Sequence, residues 1–142
     1  MKRQLLLIAV LLVVGAITSQ AQTLAVKKQI VDKLIAEDQL TQAKVKERGG
    51  INKIITVKSI DLNKDGKPEF IVDCACEFME AIYVFRKTAN DVEVIFEGSQ
   101  RQIITPLKIY TKGWRNLRLT SYRSVDGATS SETLRWSGSE YK

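Results

Sequence analysis

The chain has 142 residues, 22 Lys and Arg against 16 Asp and Glu, two cysteines and no histidine. The lack of histidine excludes Ser-His-Asp and Cys-His nucleophilic machinery and every His-based zinc site, and two cysteines alone cannot complete a tetrahedral zinc shell. The basic excess is too small to argue for nucleic acid.

The first 21 residues read as a cleaved export signal. Lys2 and Arg3 precede an apolar run from Leu5 to Val14, and Ser19 and Ala21 flank Gln20 as small residues at a cleavage site. The apolar run is shorter than the roughly 20 residues that a spanning helix needs, so no stable membrane span is expected after cleavage. The expected location is periplasmic or secreted. Cleavage would remove Lys2 and Arg3, leaving 20 basic residues against 16 acidic ones and a net charge of +4. The remaining 121 residues are one domain's worth of chain, with residues 22–50 as a helical segment and 51–142 as a β-rich region packed with it.

In 22–50, Val26, Ile30, Val31, Leu34 and Ile35 recur at helical spacing between charged residues, which predicts one amphipathic helix. Gly49 and Gly50 are its expected stop, with Lys46 and Arg48 in the last turn where they suit the helix dipole. From Ile54 the pattern changes to short β-branched and aromatic runs: IITVKSID, EFIVDCAC, AIYVFRK, VEVIFE, QIITPLKIYT, WRNLRLTSYR and SETLRW. Turn residues separate them at the Asp61 loop, at Glu77 to Glu80, at Ala89-Asn90-Asp91, at Lys112-Gly113, at Asp126-Gly127 and at Ser137-Gly138. The fold class expected is therefore α+β, an N-terminal amphipathic helix packed on a mainly antiparallel β-meander of about seven or eight strands. Within EFIVDCAC, Phe70, Val72, Cys74 and Cys76 point one way and Ile71, Asp73 and Ala75 the other, which predicts one face against the core.

The stretch DLNKDGKPE spaces Asp61, Asn63 and Asp65 at every second position, with Gly66 behind them and Glu69 closing it. Calcium takes about six to eight hard oxygen ligands, and a short loop supplies them when alternate residues turn inward. Gly66 allows the sharp turn, Lys67 offers its carbonyl oxygen, and Glu69 completes a set of three negative side chains that repel one another without a cation. The same Asx side chains could instead cap a polar turn with no metal. An EF-hand requires a bidentate Glu at its twelfth position, where this chain has Val72. The pattern D-x-[DN]-x-D-G-x-x-[DE] followed by an apolar strand resembles the loop of integrin-type FG-GAP and VCBS β-propeller repeats. Small exported bacterial proteins that carry a single such loop after a signal and helix look similar too. That resemblance implies Ca2+ held between two strands by Asp61, Asn63, Asp65, the Lys67 backbone and Glu69.

Three further groups carry possible chemistry. Cys74 and Cys76 fall on one face of a strand, either as buried thiols or as a strained bridge, with a redox role as the less favoured reading. Glu77 and Glu80 are the carboxylate pair that general acid and base work would need, although acidic turn residues are usually only solvated. Nine acidic residues face four basic ones between Asp61 and Glu97, whereas eight basic face three acidic between Gly98 and Lys142. In that basic half, Lys108, Lys112, Arg115, Arg118 and Arg123 interleave with Tyr110, Trp114 and Tyr122, a surface that could take an anionic envelope glycan or an extracellular protein. The segment also reads as an ordinary sheet, with Leu117 and Leu119 inward, Arg118 and Tyr122 toward water, and Trp136 and Tyr141 finishing the core. The expected function is a non-enzymatic binding module stabilised by calcium, or alternatively an inhibitor of an extracellular hydrolase such as a lysozyme.

Overall fold

The computed structural model describes residues 23–76, 80–99, 101–123 and 127–142. The expected signal segment, Glu77 and Asp126 lie outside the described residues. Residues 23–36 form the first described helix, α1, followed by α2 (Gln42–Glu47) and α3 (Ile51–Ile54). The single helix expected up to Gly49 is thus interrupted. Asp38 sits at φ 57°, and the Gln39 amide donates to the Leu34 carbonyl at 2.9 Å, which closes α1 and turns Leu40 into the core. Asp tolerates that left-handed conformation better than most residues. Thr41 then starts α2 as its N-cap, its hydroxyl accepting from the Lys44 amide at 3.1 Å.

Seven strands follow: β1 (Ile55–Ile60), β2 (Glu69–Ala75), β3 (Glu80–Lys87), β4 (Val92–Gly98), β5 (Gln102–Thr111), β6 (Trp114–Tyr122) and β7 (Thr129–Leu134). Every pairing is antiparallel and joins neighbours in sequence, but the meander divides into two sheets, β1-β2-β3-β4 and β5-β6-β7. The hairpin between β5 and β6 is closed by Lys112 and Gly113 at φ 50° and 83°, the pair of positive values that suits the right-handed twist of flanking strands.

Two apolar clusters lie on opposite faces of the four-stranded sheet. On one, Val26, Ile30, Val31 and Leu34 of α1 pack with Phe70, Val72, Tyr83 and Phe85. On the other, Ile71, Ile82, Val84 and Ile95 pack with Ile104, Leu117, Leu119 and Leu134 of the three-stranded sheet. The expectation of one buried face for β2 is therefore corrected. Alternation separates its side chains as read, yet both faces find apolar cover, and of its seven residues only Asp73 is exposed.

The C-terminal residues finish the second cluster. Trp136 bridges to Tyr141, and Tyr141 donates its backbone N–H to the Ile95 carbonyl at 2.9 Å and its hydroxyl to the Arg115 carbonyl at 2.8 Å. A buried tyrosine with both polar groups satisfied adds ring burial at little desolvation cost.

Candidate cation loop and basic surface

The loop between β1 and β2 is built as a ladder of Asx turns. The Asp61 Oδ1 accepts the backbone N–H groups of Asn63 at 3.3 Å and Lys64 at 2.6 Å, and its Oδ2 accepts that of Gly66 at 3.0 Å. Asn63 Oδ1 accepts from the Asp65 amide at 3.0 Å, and Asp65 Oδ1 from the Lys67 amide at 2.7 Å. Lys64 and Gly66 take φ 63° and 80°, the left-handed conformation that allows the loop to turn sharply. The Asn63 Nδ2 reaches the Asp65 Oδ2 at 3.2 Å.

Glu69 lies at the foot of this ladder, only 2% exposed at the first position of β2. Its Oε2 accepts the Leu62 amide at 2.7 Å. Burial holds its carboxyl above the usual range; the Leu62 N–H opposes that shift, and the nearby charges of Asp65 and Asp61 add to it. The loop carries Asp61, Asp65 and Glu69 against Lys64 and Lys67. Among the described residues, no three His, Cys, Asp or Glu side chains gather as a ready ion cage. The oxygens that accept backbone N–H groups retain lone pairs, because an ionised carboxylate offers about four acceptor sites.

Leu62 is the residue that ties this loop to the rest of the protein, and ligand spacing did not single it out. It is fully buried in the cluster between the sheets, and its carbonyl accepts the Arg115 amide at 2.7 Å. An apolar side chain at the second position of an otherwise polar loop was the available signal. Lys64 adds a second tie, with its Nζ 4.1 Å from the Tyr110 ring centroid.

The basic and aromatic segment does not form one continuous surface. Trp114 is 9% exposed and stacks on Trp136 with centroids 4.1 Å apart, so its assignment to a ligand surface is corrected to the core. Arg115 is half-buried, its Nε donating to the Leu107 carbonyl at 2.8 Å across the irregular stretch of β5, and it too serves structure. What remains divides in two. Lys108, Tyr110 and Lys112 lie on β5 and the hairpin tip near the Asp61 loop, while Arg118 and Tyr122 lie farther along β6 and Arg123 just past its end. Lys112 donates to the Ser137 carbonyl at 2.6 Å. Leu117 and Leu119 are buried and Arg118 and Tyr122 exposed, as their alternation predicts.

Cys74 and Cys76 are joined as a disulfide, with Cα atoms 5.2 Å apart. Both half-cystines are buried in the helix-side cluster. That spacing is shorter than a fully extended pair would give, and β2 ends at Ala75, so the chain bends where the bridge closes. Glu80 is exposed at the start of β3. No family model, curated protein or solved structure matches this chain.

Proposed function

We propose that the protein is an exported, non-enzymatic binding module whose β1–β2 loop takes Ca2+. The observation that carries this reading is the loop's geometry: Asp61, Asn63 and Asp65 folded around Gly66, with the buried Glu69 carboxyl beneath them. Burial chiefly raises the proton affinity of Glu69, and the charges of Asp65 and Asp61 add to it, a repulsion that a bound cation would relieve. Asp61, Asn63, Asp65, Glu69 and the Lys67 carbonyl would hold the ion, which neutralises their charge and performs no chemistry on a substrate. The likeness of the loop to FG-GAP and VCBS repeats supports the same assignment.

The surface that such an ion would steady is the β5–β6 tip, because Lys64 covers Tyr110 and Leu62 holds the Arg115 backbone. Lys108, Tyr110 and Lys112 there suit an anionic envelope glycan, by charge and by the aromatic ring of the exposed Tyr110. The decisive experiment is the thermal midpoint in EDTA and in millimolar calcium, for the natural protein and for Asp65→Ala. Linkage gives a stabilisation of about 1.4 kcal/mol when calcium stands at roughly ten times its Kd, and the variant loses it. Coincident curves for the natural protein would reduce the loop to a metal-free turn.

A further inference from the structure

The Tyr83 hydroxyl is buried and has no hydrogen-bond partner among the described residues. Nearly all buried polar atoms in native proteins are paired, so an orphan of this kind calls for a reason. Tyr83 also forms part of the wall of a cavity of about 340 Å³, within the size range of small-molecule sites. The local sequence opens this space. Ala81, two residues before Tyr83 on the same face of β3, and Ser99, just past the end of β4, are small, so the sheet is low beside the tyrosine ring. The turn that closes α1 supplies Gln39 from the helical side, and the half-cystine Cys76 stands just beyond β2.

The charged residues of this wall are Glu80 and Glu97, both exposed, and no Lys or Arg is among them. Neither carboxylate has an ion-pair partner among the described residues. Glu97 is the cross-strand partner of Tyr83, a placement that sets Cβ atoms about 4.5 to 5.5 Å apart.

We propose that this cavity binds a small organic ammonium, a primary amine carried on a short apolar body. The ammonium donates to the Tyr83 oxygen and pairs with Glu97, while the body lies against Ala81, Cys76 and the tyrosine ring. A phenol oxygen and a carboxylate both accept, which suits a group with three donors and no acceptor. A carboxylate or phosphate ligand would instead meet two negative charges, and a bare divalent ion would find a mostly apolar wall in place of its oxygen shell. The field at the phenol agrees. After burial, the charges of Glu97 and Glu37 raise its proton affinity, so its oxygen sits in a negative potential that favours a cation. The hydroxyl costs the free protein stability because its partner is the ligand.

The cavity shares no residue with the β1–β2 loop, so the test does not depend on calcium. Butylammonium is the probe, titrated at neutral pH into the protein expressed from its full coding sequence while amide shifts are followed by heteronuclear NMR. The amides of Ala81, Tyr83, Glu97 and Ser99 should move together and saturate, with a Kd on the order of millimolar for so small a molecule. Butyrate, with the same chain length and the opposite charge, should leave them in place. Tyr83→Phe should weaken butylammonium binding about tenfold with the fold intact, and Glu97→Gln about threefold. The same spectra report that both variants are folded. Absence of saturable shifts overturns the proposal, as does butyrate binding equal to that of butylammonium. Unchanged affinity in either variant overturns it as well.

Discussion

Two buried tyrosines show how much a single hydroxyl decides. Tyr141 donates to the Arg115 carbonyl, whereas the Tyr83 hydroxyl, equally enclosed, has no hydrogen-bond partner among the described residues. Removing a satisfied hydroxyl loses a bond, while removing an unsatisfied one removes a desolvation cost. Tyr141→Phe should therefore destabilise by about 1 kcal/mol and Tyr83→Phe should stabilise by about the same amount, measured by urea unfolding. Both phenols resist ionisation in alkali, because burial pushes the Tyr141 group up as well. Burial first, then the charges of Glu97 and Glu37, push the Tyr83 phenol up to about 12 from its ordinary value of 10.0. A phenol whose folded-state proton affinity is raised contributes stability that is whole below pH 10 and drains away as the pH climbs through 12. In Tyr83→Phe the stability curve should be flatter over that window. Sequence alternation in AIYVFRK marks Tyr83 as inward-facing, but no local pattern can tell whether its oxygen will meet a partner, because that partner would come from elsewhere in the chain.

Among the elements, the hairpin of β1 and β2 was the most legible. The alternation of Asp61, Asn63 and Asp65 with Gly66 behind them specifies a tight Asx ladder from local chemistry alone, and the ladder is present. The same spacing says nothing of Leu62, whose burial depends on a second sheet that begins 40 residues later at Gln102. The interruption of the helical segment was hidden for a related reason. Apolar spacing continues past Ile35, and only the packing of Leu40 reveals that the chain must turn there. The disulfide is also an element-scale feature, since it pins the end of β2 across a separation of two residues. So small a loop constrains the unfolded chain little, and reduction should cost less than about 2 kcal/mol. Far-ultraviolet circular dichroism should be retained in reductant, with a modest drop in the thermal midpoint. Loss of the whole fold would show that the bridge does more than close a bend.

At the scale of the molecule, the strand count and antiparallel order follow from turn residues at regular intervals, and the described residues form seven such strands. The division into two sheets does not follow, because β4 and β5 are joined by the same kind of short connection that elsewhere continues a sheet. What holds the layers together is the cluster containing Leu62, Ile71, Val84, Leu117, Trp114 and Trp136. Leu62→Ala should cost about 2 to 5 kcal/mol, the range for a large buried aliphatic side chain whose cavity cannot fully collapse. Lys64→Ala, which removes only a surface cation over Tyr110, should cost about 1 kcal/mol or less. The ratio of the two losses in chemical denaturation measures whether the loop is held by burial or by charge.

The central position of the four-stranded sheet also constrains how this sequence can vary. In β2 and β3, a change on either side of the strand meets a packed layer, α1 on one side and the second sheet on the other. A library of single substitutions should therefore find Phe70 to Val72 and Ile82 to Phe85 intolerant at consecutive positions, without the every-second-residue rhythm of a half-exposed strand. Thr129 to Thr133, exposed along the outer strand, should accept most replacements. Lineages of this protein would then diverge faster along that strand than in the layer enclosed on both sides.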